Sequence, residues 1–230
     1  MGKIYAVSDL HGCKHLYEKI KEYIQPGDRV YCLGDAGDRG PYPWETLKLI
    51  LDDLQFEYII GNHDQMLLHV MEGVLEENKW KRHSALQLLR ANGGEGTYRG
   101  WMEESDEDKL KYYNLLCKTA LSWALTNEKG QVIHLSHAGA TPGIDWEWQE
   151  EELLWSRSHF ADAWPAGYED VYIVHGHTPI DYFGVTDSVE WKMYTYADGH
   201  KMDIDTGAKW SGVACLLDLD TFEPIYFKAD

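Results

Sequence analysis

Residues 3–12 read Lys-Ile-Tyr-Ala-Val-Ser-Asp-Leu-His-Gly. A short apolar run that stops at Asp9, His11 and Gly12 is the pattern of a buried strand feeding a polar loop. The pattern recurs twice: Arg29 to Leu33 ends at Gly34-Asp35, and Glu57 to Ile60 ends at Gly61-Asn62. Between these runs Leu16, Ile20 and Ile24 fall at helical spacing, as do Leu47, Ile50, Leu51 and Leu54 after Pro41 and Pro43. The opening third therefore reads β-α-β-α-β, a parallel sheet with helices packed on it. Ligands in such sheets sit beyond the carboxyl ends of the strands, where the three polar loops fall.

Farther along, Gln65 to about Lys118 has a helical pattern broken at Asn92-Gly93-Gly94-Glu95-Gly96. We expect a helical, cap-like insertion over 65–118 within one domain spanning 1–230. The run Glu103-Glu104-Ser105-Asp106-Glu107-Asp108 reads as a solvated helix start, where acidic side chains suit the helix dipole. Strand patterns then dominate. Gln131 to Leu135 ends at Ser136-His137-Ala138-Gly139, and Val171 to Val174 ends at His175-Gly176-His177-Thr178. Later strands are expected at Met193 to Tyr196, Lys201 to Asp205, Val213 to Leu219 and Ile225 to Phe227. Short turns between them predict a partial meander, so the fold class is an α/β sandwich with mixed sheets.

A chain of 230 residues can bury a core without covalent staples. With 21 basic against 39 acidic side chains the formal charge is −18, which repels nucleic acid and anionic membranes. No nucleic-acid or membrane partner is expected, and an anionic substrate needs a local attraction. Cys13, Cys32, Cys117 and Cys215 stand singly, which is neither a disulfide framework nor a zinc ribbon. The first residues show neither a signal peptide's apolar core nor a transit peptide's bias, and Gly2 lacks the Ser or Thr of a myristoylation motif. A cytoplasmic location is the expectation.

Five strand ends carry residue types that ligate metals: Asp9 and His11, Asp35 and Asp38, Asn62 and His63, His137, and His177. Each alone is ordinary loop chemistry, since Asp and Asn favour turns and a lone His is commonly a hydrogen-bonded loop residue. Turn propensity does not deliver five such ends beside glycines. Carboxylates with imidazoles suit Mn, Fe, Zn or Ni, and the lack of thiolate ligands argues against structural zinc.

Taken in order, Asp9-Leu10-His11-Gly12, Gly34-Asp35-Ala36-Gly37-Asp38-Arg39-Gly40, Gly61-Asn62-His63-Asp64, His137-Ala138-Gly139 and Gly176-His177-Thr178-Pro179 closely resemble the calcineurin-like metallophosphoesterases. Within them they look most like the phosphoprotein phosphatase branch, which includes bacterial and phage Ser/Thr protein phosphatases and symmetrical diadenosine-tetraphosphate hydrolases. The resemblance implies an α-β-β-α sandwich of two mixed sheets with helices outside. It implies two divalent ions, with manganese expected and iron, zinc or nickel as alternatives. Asp9 and His11 would bind the first, Asp35 would bridge both, and Asn62, His137 and His177 would complete the second. His63 would protonate the leaving oxygen, oriented by Asp38, while Arg39 grips phosphoryl oxygens with its planar fork. Asn62 would also contact substrate. The segment Leu153-Leu154-Trp155-Ser156-Arg157 resembles one that supplies a second phosphate-contacting arginine, Arg157.

The implied activity is hydrolysis of phosphate monoesters, first on phosphoserine or phosphothreonine of a protein. The alternative is a small substrate, a dinucleoside polyphosphate, and a phosphate-binding module without catalysis ranks last. Four positions depart from the pattern. Ser8 stands where Gly is common and is expected only to alter a strand end; Gly37 replaces an apolar residue and is expected to loosen its loop. Asp64 looks like the tetraphosphate hydrolases, whereas Asp38 looks like the protein phosphatases. His175 stands at a usually apolar position and, like His134, is expected to be a packed strand histidine. Trp146 and Trp148 are the expected base-stacking candidates, if the 10 Trp and 15 Tyr include any.

Overall fold

The computed structural model describes residues 2–145, 149–158, 160, 163–183 and 191–229. In chain order the first elements are β1 (Ile4–Val7), α1 (Lys14–Tyr23), β2 (Arg29–Cys32), α2 (Pro43–Leu51) and β3 (Phe56–Tyr58). Four helices follow: α3 (Asn62–Leu75), α4 (Lys79–Ala91), α5 (Glu95–Glu103) and α6 (Asp106–Leu116). Then come β4 (Ser122–Thr126), β5 (Val132–Ser136), α7 (Glu150–Trp155), β6 (Val171–His175), β7 (Tyr194–Tyr196) and β8 (Lys201–Asp203). The one-turn helix α8 (Ala208–Ser211), β9 (Val213–Asp218) and β10 (Pro224–Lys228) complete the described chain.

The strands form two five-stranded mixed sheets, ordered β10-β9-β1-β2-β3 and β4-β5-β6-β8-β7. Strand alternation sorts the first sheet's side chains between two layers. Tyr5, Val7, Val30 and Cys32 pack with α1 Leu16 and Ile20 and α2 Leu47 and Ile50. Their neighbours Ala6 and Tyr31 face the other way, against Ile133, Leu135 and Val174 of the second sheet. On β9, Ala214 and Leu216 join the helical layer while Cys215 and Leu217 join the layer between sheets. Ile173 of β6 packs with Leu153 of α7 on the far side. The result is helix, sheet, sheet, helix, the architecture the resemblance implies.

Two features differ from the sequence reading, the edge strand β4 and the number of helix breaks, and the later strands add detail to it. The meander is partial, as expected: β4 with β5, β7 with β8 and β9 with β10 are tight hairpins, while β5, β6 and β8 run parallel. Strand β4 gave no periodic signal because it is a sheet edge with Trp123, Ala124 and Thr126 exposed. The segment from 62 to 116 breaks three times rather than once. The break after α3 has no Gly or Pro; Glu77 turns left-handed (φ 54°) and Asn78 caps α4 by accepting from Lys81 N at 3.1 Å. At the acidic run, Ser105 accepts from Asp108 N and caps α6. Glu104 is drawn inward instead, accepting from Trp44 Nε1 and Lys48 Nζ. Among the described residues no helix is long and apolar enough to cross a membrane.

Candidate metal centre and active site

The two sheets bring their strand ends together at one edge. Backbone bonds lock the first two loops in register: Asp9 N to Gly34 O, His11 N to Asp35 O and Gly12 N to Ala36 O. Asp9, His11, Asp35, Asp38, Arg39 and His177 all adopt left-handed φ, between 40° and 72°. Such conformations cost about 1–3 kcal/mol per non-glycine residue and persist only where surroundings dictate them, so their concentration here marks the edge as functional. Two glycines permit the approach. A Cβ on Gly61 would strike Asp35 Oδ1, and one on Gly176 would strike Asp9 Oδ2 and Ser8 Oγ.

Asp35 sits at the centre. Its Oδ2 lies 3.8 Å from His11 Nε2, 3.9 Å from His63 Nε2 and 3.5 Å from His137 Nε2. The ligating atoms of Asp9, Asp35 and His137 lie within 4.8 Å of one another, as do those of His11, Asp35 and His63. Asp35 Oδ1 accepts the His63 backbone N–H at the start of α3, at 3.0 Å. Asp9 Oδ2 accepts from Ser8 Oγ and from His177 N. Ser8 therefore does more than alter a strand end: its hydroxyl orients the Asp9 carboxylate.

Hydrogen bonds fix the imidazole tautomers. Arg39 can only donate, and its Nη1 and Nη2 meet His11 Nε2 at 2.7 Å and His63 Nε2 at 2.6 Å. Both rings are thus protonated on Nδ1, which donates to Gly37 O and Asp38 Oδ2 respectively. His137 donates through Nδ1 to Leu33 O and His177 through Nε2 to Trp155 O. The atoms left facing inward, His137 Nε2, His177 Nδ1 and Asn62 Oδ1, are lone-pair donors 2.9–3.2 Å apart.

Three mutually close acceptors, beside buried Asp9 and Asp35, are the donor chemistry of a divalent cation site. Burial, joined by Arg39, lowers His11 to about 3 and pushes His63 far down, so both rings are neutral and able to donate lone pairs. Burial also raises Asp35 well above the ordinary carboxylate range, reinforced by Asp9 and Asp64. A cation would relieve this repulsion.

His63 and Asp38 form a pair with Nδ1 to Oδ2 at 2.6 Å, so Asp38 is more than a turn residue. Burial raises Asp38 to about 6, with Thr97 and Arg39 pulling the other way. Thr97 on α5 accepts from Asp38 N at 2.9 Å and donates its hydroxyl to Asp38 Oδ1. At Gly37 the missing Cβ leaves room for Thr97, whose side chain would sit 3.2 Å from it. Arg39 is tethered to the break between α4 and α5 through Gly93 O and Asn92 O. Arg157 is exposed and donates to His177 O at 3.4 Å, with its guanidinium over the Tyr182 ring.

Sequence reasoning passed over Asp203 and Asp205 and gave Asp64 no structural role. Asp64 Oδ2 accepts from Gly61 N, Asp35 N and Tyr58 Oη, tying two loops together. Asp203 and Asp205 are fully buried carboxylates held well above the usual range, first by burial and then by like charges that include Asp9. Their run Asp203-Ile204-Asp205-Thr206-Gly207 follows β8 in the strand-acid-glycine form of the others. His175 is fully buried, with Nε2 at 2.6 Å from Tyr196 Oη. His134 is partly buried on β5. Trp146 and Trp148 lie outside the described residues.

The model of the calcineurin-like phosphoesterase family matches residues 2–193. A symmetrical bis(5'-nucleosyl)-tetraphosphatase of Methylobacillus flagellatus is 33% identical over 159 residues, 65% of this chain and 46% of that protein. One from Chromobacterium violaceum is 38% identical over 74 residues, 30% of this chain and 27% of that protein. The chain spans about a quarter to a half of the length of the curated relatives it matches. A solved structure described as a candidate diadenosine tetraphosphatase superposes with TM-score 0.66 at 16% identity, covering 100% of this chain and 94% of that one. A Saccharomyces cerevisiae protein serine/threonine phosphatase superposes at 0.52 with 14% identity, covering 100% and 80%. At these identities both structures speak to the fold alone.

Proposed function

We propose, from the premise that the chain belongs to the calcineurin-like phosphoesterase family, that this metal-dependent phosphoesterase hydrolyses a dinucleoside polyphosphate. The observation that carries the substrate class is the sequence match to symmetrical tetraphosphatases, in which one stretch of 159 residues is 33% identical. Asp64 agrees with it. The expectation of a phosphoserine or phosphothreonine substrate gives way, since its structural neighbour shares only the fold. The substrate on this reading is a small anion.

Asp9, His11 and Asp35 would hold one divalent ion, and Asp35, Asn62, His137 and His177 the second, with manganese the expected metal. When bound, the pair supplies Lewis acidity and a hydroxide nucleophile at neutral pH. The rest of the chemistry belongs to the chain. Arg39 presents a planar two-pronged donor beside His11 and His63, and Arg157 presents another beside His177, so phosphoryl oxygens are gripped from two ends of the donor set. This supplies the local attraction that a chain of charge −18 otherwise lacks. His63 Nε2, which accepts from Arg39 here, is the atom that would take up a proton and pass it to the leaving oxygen once Arg39 turns to the phosphoryl group, with Asp38 accepting from Nδ1 and stabilising the imidazolium before transfer. Thr97 keeps Asp38 in place from α5, and we propose that the helices over 65–118 act as the cap behind this pair.

The test is a paired kcat/KM determination on the manganese-loaded chain with diadenosine tetraphosphate and a phosphoserine/phosphothreonine peptide pool. Preference for the dinucleotide is expected, and preference for the peptides overturns the substrate reading.

A further inference from the structure

Both arginines of the site are stacked on exposed aromatics. The Arg39 guanidinium lies over the Trp210 ring at 5.6 Å, and the Arg157 guanidinium over the Tyr182 ring at 5.7 Å. Trp210 is 58% exposed and Tyr182 66% exposed, so each ring keeps open surface beside its guanidinium. Trp210 stands on the one-turn helix α8 just after left-handed Gly207 (φ 63°), where Trp191 and Trp210 both close over the missing Cβ. Tyr182 stands on a short 3-10 turn, Ile180–Phe183, five positions after His177. Ile180 N in the Tyr182 turn donates at 3.1 Å to Asp205 O, in the loop three residues before α8, so both aromatics stand on segments tied to one loop.

The repetition is informative. Arg39 is bonded to His11 and His63 at one end of the donor set, and Arg157 is bonded to His177 O at the other. Each end thus offers the same pair, a guanidinium for phosphate and an aromatic face for a planar ring. A phosphorylated side chain carries one phosphate and no ring at its far end, and has no use for two such pairs. A ligand with a polyphosphate centre and a base at each end has use for both. Resting on the proposed dinucleoside polyphosphate substrate, we infer that Trp210 and Tyr182 are its nucleobase shelves. Stacking suits this role because every base has a π-face, and the adjacent arginine adds cation–π attraction.

The experiment measures kcat/KM of the manganese-loaded chain for diadenosine tetraphosphate and for inorganic tetraphosphate, which has the phosphate chain without bases. The variants are Trp210→Ala, Tyr182→Ala and Trp210→Phe. Each alanine variant is expected to lower the ratio of the two constants roughly ten- to a hundred-fold, the size of losing one aromatic partner of a base, chiefly through KM. Trp210→Phe restores most of the ratio. Mere loosening of Arg39 or Arg157 lowers both constants together and leaves the ratio at its wild-type value, which overturns the inference. The two readings fail separately. A wild-type chain that prefers phosphopeptides fails the substrate reading and the shelves with it, whereas a wild-type chain that prefers the dinucleotide, with alanine variants at the wild-type ratio, fails the shelves alone.

Discussion

The two sheets meet at one edge but build their halves of the site differently. The first sheet delivers Asp9, His11, Asp35, Asp38, Arg39, Asn62 and His63 from three loops after parallel strands, cross-tied by backbone bonds and by Asp64. The second delivers His137 and His177, each hung from a strand end and steadied through one ring N–H to a carbonyl. The first half holds Asp9, Asp35 and Asp38 and most of the left-handed backbone, whereas the second supplies the lone pairs of His137 and His177, with the buried Asp203 and Asp205 at the end of its β8. Backbone strain is therefore concentrated where the loops brace each other, and the less braced half contributes imidazoles that need only point correctly.

The sharpest way to break this comparison is to remove the charge that both halves share. Asp35→Asn keeps the side-chain size but lowers the central charge, with three imidazoles within 3.9 Å of Oδ2. Activity is expected to fall on the order of 10³-fold or more, the equivalent of several kcal/mol of lost charge stabilisation. Metal content by plasma emission should fall for both ions. The counterpart in the second half is His177→Ala, which removes a neutral donor and leaves Asp9, His11 and Asp35 in place. It should lose one ion and retain the other, with a smaller loss of rate. Equal metal loss in both variants would show that the halves are not separable.

The difference between the halves also explains what the sequence disclosed. Strands β1 and β2 are buried on both faces, so they read as unbroken apolar runs, and their loops carry Asp, His and Gly at fixed offsets. Strand β4 is an edge whose exposed residues leave no alternation to read. The turn at Glu77 is made by a non-glycine residue in left-handed conformation, which composition does not announce. Thr97 is a helix residue 59 positions from the Asp38 it holds, and its role exists only once α5 is folded against α2. Asp203 and Asp205 had a legible strand-acid-glycine pattern, but β8 joins the site through pairing with β6, a contact no local pattern encodes.

Within the first half, His63→Asn separates proton transfer from metal binding. Lowering kcat by about 10²- to 10³-fold with metal content near that of the parent is expected for loss of a general acid. Loss of both ions would instead make His63 a ligand, a reading its Nε2 distance of 3.9 Å to Asp35 leaves open to this measurement.

Thr97→Val asks how far the bracing of the first half extends into the helices. The substitution preserves shape but removes the hydroxyl that accepts from Asp38 N and donates to Asp38 Oδ1. Two consequences follow, and they differ in kind. Asp38 loses a partner that favours its charged form, so burial raises its pKa further and weakens its hold on His63 Nδ1. The Asp38 N–H, buried, is left without its acceptor, which costs about 1–3 kcal/mol of folding stability. The expected result is a kcat lower by roughly tenfold, at the lower end of the effect of losing a residue that supports a site from behind, with KM little changed. A stability loss without any change in kcat would confine Thr97 to holding the loop. Loss of kcat that Thr97→Ser restores would place α5 within the proton-delivery apparatus, extending the braced half of the site beyond the strand ends and into the helical segment.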